Sequence, residues 1–89
     1  MGTAGIKIRL MPESPETNLK EIIVKAKQIV EGKGGKNREY EEEPIAFGLK
    51  AVIAFFELSE EIELKEIEDA LGSIEGVSST NVIDMRRLI

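Results

Sequence analysis

The stretch from Ile45 to Phe56 constrains the fold more than any other part of this 89-residue chain. It is almost continuously apolar, interrupted by Gly48 and Lys50, and Pro44 stands directly before it. Such a run reads as a long strand covered on much of both faces, the spine of a sheet. Its longest unbroken part, Ala51 to Phe56, is far short of the roughly 18 residues that a membrane-spanning helix requires, so no segment is expected to cross a bilayer. A chain this short buries only roughly 60–65% of its unfolded surface, so all apolar faces must serve one core and a single domain over residues 1–89 is expected. Function is then expected on the surface.

The other elements follow from hydrophobic period. Ile6, Ile8 and Leu10 alternate with Lys7 and Arg9, which predicts a strand with one wet face. Pro12 and Pro15 end it, and Asn18 with Glu21 three residues on predicts a capped helix start. Leu19, Ile22, Ile23, Ala26, Ile29 and Val30 then recur at helical spacing until Gly32. Arg38 to Glu43 is polar and ends at Pro44, which suits a short exposed strand. Ser59 to Ile74 carries Leu64, Ile67, Leu71 and Ile74 among acids, a second amphipathic helix that Gly76 ends. Val82, Ile83, Met85 and Leu88 mark a last strand over Asn81 to Leu88. The order β-α-β-β-α-β predicts an α+β fold, a ferredoxin-like βαββαβ sandwich with two helices packed on one face of a four-stranded antiparallel sheet. The other face of the sheet is left open, and topology alone does not choose a function.

Composition removes many chemistries. With no Cys there is no disulfide framework, thiolate catalysis or Cys-based zinc site, and with no His the commonest general base and metal ligand is missing. Absence of Cys and of a basic-then-apolar leader makes the cytoplasm the expected compartment. The net charge of −5 is unevenly spread: residues 1–38 sum to +4 and residues 57–75 to −7. The second helix therefore forms an acidic wall, which would repel duplex phosphates and could steer approach to a basic partner surface.

Several local motifs have a plainer reading than a chemical one. The Gly32 to Asn37 segment fails as a phosphate loop, because Val30 stands where the first Gly belongs and Asn37 where Ser or Thr belongs; it reads as a flexible basic loop. Glu41, Glu42 and Glu43 alternate across a strand and cannot converge on one cation, so they read as a solvated edge. No carboxylate pair for acid-base hydrolysis is seen. Against the sheet-based RNA-binding consensus, the segment Ile45 to Val52 matches only at Phe47 and Gly48, and the first strand has no aromatic. Gly48 then reads as a strand-entry bulge, and periodicity favours Phe47 in the core over Phe47 as an exposed anchor. Arg86 and Arg87 lie on opposite faces of the last strand, either as solubilising charges or as a positive tip aimed at a phosphate or carboxylate.

Five segments in order resemble one family, archaeal translation elongation factor 1-beta: Met11-Pro12-Glu13-Ser14-Pro15, Glu16-Thr17-Asn18-Leu19, Glu43-Pro44-Ile45-Ala46-Phe47-Gly48-Leu49, Ser73-Ile74-Glu75-Gly76-Val77 and Asp84-Met85-Arg86-Arg87-Leu88. The resemblance implies a guanine-nucleotide exchange factor that meets the GDP-bound and nucleotide-free forms of the elongation factor 1-alpha GTPase. The resemblance implies that such a factor acts by disturbing the Mg and phosphate region of that GTPase. It further implies no covalent chemistry of its own, no cofactor or bound metal, and no direct contact with nucleic acid or membrane. By the matching motif, Pro44, Phe47 and Gly48 are implied to contact the GTPase. So is the basic end at Arg86 and Arg87, where Arg87 stands in place of a Lys and Ile89 adds one residue. The alternative is a non-enzymatic RNA-binding or small-ligand-sensing module on the same fold, and an acyl-phosphatase, which would need a glycine-rich phosphate cradle beside an Arg, is a more distant one.

Overall fold

A computed structural model describes residues 2–88, so Ile89 lies outside the described residues. The elements are β1 (Thr3–Pro12), α1 (Leu19–Gly32), β2 (Lys36–Pro44), a short 3-10 turn (Ala46–Gly48), β3 (Lys50–Ser59), α2 (Leu64–Gly72) and β4 (Val77–Arg87). They form one four-stranded sheet in the order β2-β3-β1-β4, and every adjacent pair is antiparallel. This is the ferredoxin-like α+β arrangement that the order of periodicities predicted.

Alternation builds the core. Ala4, Ile6, Ile8 and Leu10 of β1 and Val52, Ala54, Phe56 and Leu58 of β3 point to the same side of the sheet and are buried. Ile22, Ala26 and Val30 of α1 and Ile67 and Leu71 of α2 close over them, so both helices cover one face. α1 starts where expected: Asn18 Oδ1 accepts from the backbone N–H of Lys20 at 3.1 Å and of Glu21 at 3.3 Å, satisfying two donors the helix cannot pair itself.

Four expectations change. The strand expected from Ile45 begins only at Lys50, because residues 45–49 are the loop of a β2–β3 hairpin closed by the Pro44–Lys50 pair. The second helix is shorter than the apolar period suggests: β3 runs on to Ser59, and residues 60–63 turn, with the N–H of Ile62 donating to the Ser59 carbonyl at 3.0 Å. β4 starts at Val77 rather than Asn81. Last, the glycine-rich segment read as a flexible loop is a tight return, since β2 already begins at Lys36. A Cβ on Gly35 would lie 2.7 Å from Val30 Cγ1, and Gly34 has φ +90°, so both glycines are sterically required for α1 to turn directly into the sheet.

Candidate functional site

The hairpin loop holds two consecutive residues with positive φ. The Ile45 N–H donates to the Leu49 carbonyl at 2.8 Å, and the Leu49 N–H to the Ala46 carbonyl at 3.2 Å. Within this four-residue turn both central residues are left-handed, Phe47 at φ 62°, ψ 31° and Gly48 at φ 75°. Two positive φ angles match the mirror-image turn that suits the twist of a hairpin, and glycine or asparagine is the residue preferred there. Phe47 is the one non-glycine residue with positive φ among those described, and it is 94% exposed. The expectation that Phe47 belongs to the core is therefore wrong: residues 45–49 form a loop, and loop residues do not alternate as a strand's do. Beside the loop, a cleft of about 350 Å³ lies between the β1–α1 connection and the hairpin, lined by residues that include Pro12, Thr17, Lys20, Gly48 and Lys50.

The basic residues lie elsewhere. Ala4 pairs with Leu58 on one side and with Arg87 on the other, so Arg87 sits where β3 ends, eight residues along from Lys50. At the rise of an extended strand this separates the two ends by ~27 Å, in a molecule measuring 41 × 20 × 18 Å. Pro44, Phe47 and Gly48 are thus brought together at one end of the sheet, and Arg86 and Arg87 at the other.

Arg87 and Arg86 face opposite sides, as alternation requires. Arg86 shares the open face with Asp84, Nε to Oδ2 at 3.1 Å. Arg87 makes a two-pronged contact with Glu60, Nε to Oε2 and Nη2 to Oε1, both at 2.7 Å. Hydrogen bonding from Arg87 holds the Glu60 carboxyl below its ordinary range, and the same bond raises the Arg87 guanidinium. Glu60 is itself anchored, its N–H donating to the Gly2 carbonyl at 2.9 Å, while Leu88 N–H donates to the Thr3 carbonyl at 2.7 Å.

Sequence reasoning missed Glu60, because 27 residues separate it from Arg87 and only sheet register joins them. It also missed Phe55. On the open face, Lys7 Nζ lies 5.4 Å from the centre of the Phe55 ring, Arg9 meets Glu43 at 3.3 Å and Arg38 meets Glu57 at 3.2 Å. Alternation would have found Phe55 once β3 was known to start at Lys50. Tyr40 lies on the exposed edge strand β2 as expected, but its side chain is half-buried: its hydroxyl donates to Asn37 Oδ1 at 2.6 Å, while Asn37 Nδ2 donates to the Lys27 carbonyl at 3.0 Å. Burial first and the nearby Glu31 second push the Tyr40 hydroxyl well above its ordinary pKa. No helix among the described residues is long and apolar enough to cross a membrane.

The described residues thus form a small α+β sandwich with an exposed aromatic at one end and a paired guanidinium at the other. Residues 5–88 match the family described as the EF-1 guanine nucleotide exchange domain. The chain is 38% identical over 89 residues to Elongation factor 1-beta of Methanosarcina acetivorans, covering 99% of this chain and 100% of the relative. It is 35% identical over 86 residues to Elongation factor 1-beta of Methanococcus maripaludis, covering 96% and 97%. The chain belongs to the EF-1 guanine nucleotide exchange domain family, and its role is nucleotide exchange in translation elongation. Solved structures similar in fold include the C-terminal domain of the MgtC protein from Mycobacterium tuberculosis, with TM-score 0.67 at 16% identity over 97% of this chain and 88% of that one. The ACT domain from GTP pyrophosphokinase of Chlorobium tepidum gives TM-score 0.58 at 15% identity over 92% and 97%. At these identities the likeness concerns the fold alone.

Proposed function

We propose that the protein promotes replacement of GDP by GTP on elongation factor 1-alpha by holding the GTPase at both ends of the sheet. The observation that carries this reading is Phe47, an aromatic ring held almost wholly in solvent by a left-handed backbone. A non-glycine residue in this region costs of order 1–3 kcal/mol, and an exposed ring regains none of it from the core. Such strain is retained where the side chain has a use outside the fold, and a rigid aromatic is a frequent anchor in a partner's pocket. Pro44 and Gly48 serve that anchor by closing and turning the hairpin.

At the opposite end Arg87, with Arg86 beside it, meets the Mg and phosphate region of the GTPase. A partner touched by both ends must span ~27 Å. No bond is made or broken by the exchange factor. Its complex weakens the hold on GDP, and by reciprocity nucleotide weakens the complex by the same factor, so GTP entry releases it. The competing RNA reading loses support on the open face, where Phe55 is already capped by Lys7 and the cations Arg9, Arg38 and Arg86 are each paired with an acid.

The test is release of a fluorescent GDP from elongation factor 1-alpha with catalytic amounts of the protein. Acceleration by wild type, blunted by Phe47→Ala and by Arg87→Ala in proteins that still fold, is the expected result. If wild type leaves the release rate unchanged, the exchange reading falls; if Arg87→Ala matches wild type, only the hairpin end is a contact.

A further inference from the structure

Arg87 stands at the end of an edge strand, where a long side chain would ordinarily sample many rotamers. Here one edge of the guanidinium, Nε with Nη2, is occupied by the two Glu60 oxygens at 2.7 Å each. Glu60 does not float free: its backbone is bonded to Gly2, and a Cβ on Gly2 would fall 2.8 Å from the Glu60 carboxyl carbon, so the carboxylate is packed against a bare backbone. The arginine side chain remains 71% exposed. Among the described residues its second edge, Nη1 with Nη2, meets no acid and is left to receive another oxyanion in the forked geometry that arginine favours.

We propose that Glu60 is a positioning residue for exchange, holding the Arg87 fork so that its remaining edge meets an oxyanion of the GTPase complex. This rests on the reading of Arg87 as a contact and adds what that reading lacks, a reason for the charge to be aimed rather than merely present. The oxyanion is either a carboxylate of the GTPase or a phosphate of its nucleotide, each of which offers a pair of acceptor oxygens to the fork. A carboxylate placed beside a cation could instead act as a rival that must be displaced, and the two roles predict opposite signs.

The experiment compares fluorescent GDP release driven by wild type, Glu60→Gln, Arg87→Ala and the double variant, with thermal unfolding of each. Positioning predicts that Glu60→Gln, which keeps the shape and loses the charge, slows maximal release by about two- to five-fold. It also predicts no further loss when Glu60→Gln is added to Arg87→Ala. Binding of each variant to nucleotide-free GTPase distinguishes the acceptor: a defect that persists there points to a carboxylate, and one confined to the GDP-bound form points to a phosphate. If Arg87→Ala slows release while Glu60→Gln matches or exceeds wild type, the positioning role is overturned and Glu60 is a bystander or a rival. Equal loss from Glu60→Gln in both backgrounds would also overturn it, since the residue would then act on the fold. A normal rate with Arg87→Ala refutes the parent reading instead, and this proposal with it.

Discussion

Exchanging Phe47 for Asn should make the protein more stable while making it a poorer exchange factor. In the folded state Phe47 holds φ 62°, ψ 31°, which for an ordinary L-residue costs roughly 1–2 kcal/mol. Asn tolerates this conformation far better, and unlike Gly it adds little backbone freedom to the unfolded chain. The ring is 94% exposed, so its removal opens no cavity and forfeits almost no burial. A net gain of about 1 kcal/mol follows. With an unfolding entropy of roughly 2.1 cal/mol/K per residue, an 89-residue chain has ~190 cal/mol/K, so the melting temperature should rise by ~5 °C. Circular dichroism melts of wild type, Phe47→Asn and Phe47→Ala would read this, the Ala variant keeping the strain and so changing little. A melting temperature lowered by more than about 2 °C in Phe47→Asn would mean that the ring packs against the fold, and the argument from strain to function would fail.

Two further outcomes follow from the geometry. Gly35→Ala places a methyl 2.7 Å from Val30 Cγ1 and 3.2 Å from the Glu57 carbonyl, and should destabilise by about 1–3 kcal/mol, seen as a lower denaturation midpoint at unchanged slope; a neutral result would mean that the α1–β2 return can shift. Tyr40 is the chain's single tyrosine and there is no tryptophan, so ultraviolet absorbance reports it alone; because its folded pKa is raised, it contributes stability below the unfolded value near 10 that is lost as pH rises above it, and phenolate should appear only together with unfolding. Ionisation near pH 10 with the fold intact would contradict the burial of that hydroxyl.

Much of the architecture was legible because it is local. The stripe of Ile22, Ala26 and Val30, the Asn18 cap and the alternation of Ile6, Ile8 and Leu10 each depend on neighbours within one or two turns or pleats. The family motif was legible for the same reason, since Glu43 to Leu49 is contiguous. Residues 45–49 mislead because their apolar composition continues that of β3, although Pro44 and Gly48 already punctuate it. Apolar residues in a hairpin tip are indistinguishable by pattern from those of a strand.

The sequence alone determined the order of elements, the face each buries, the charge polarity and the absence of thiol and imidazole chemistry, because period and composition are properties of short windows. It took the folded chain to show that Phe47 points into solvent, that Glu60 meets Arg87 across 27 residues, and that Phe47 and the Arg86–Arg87 pair lie at opposite ends of the sheet. Those facts depend on register between strands and on backbone handedness at single residues. Neither leaves a periodic trace in the chain, since the same residues in a register shifted by one pair would show the same pattern and bring different side chains together.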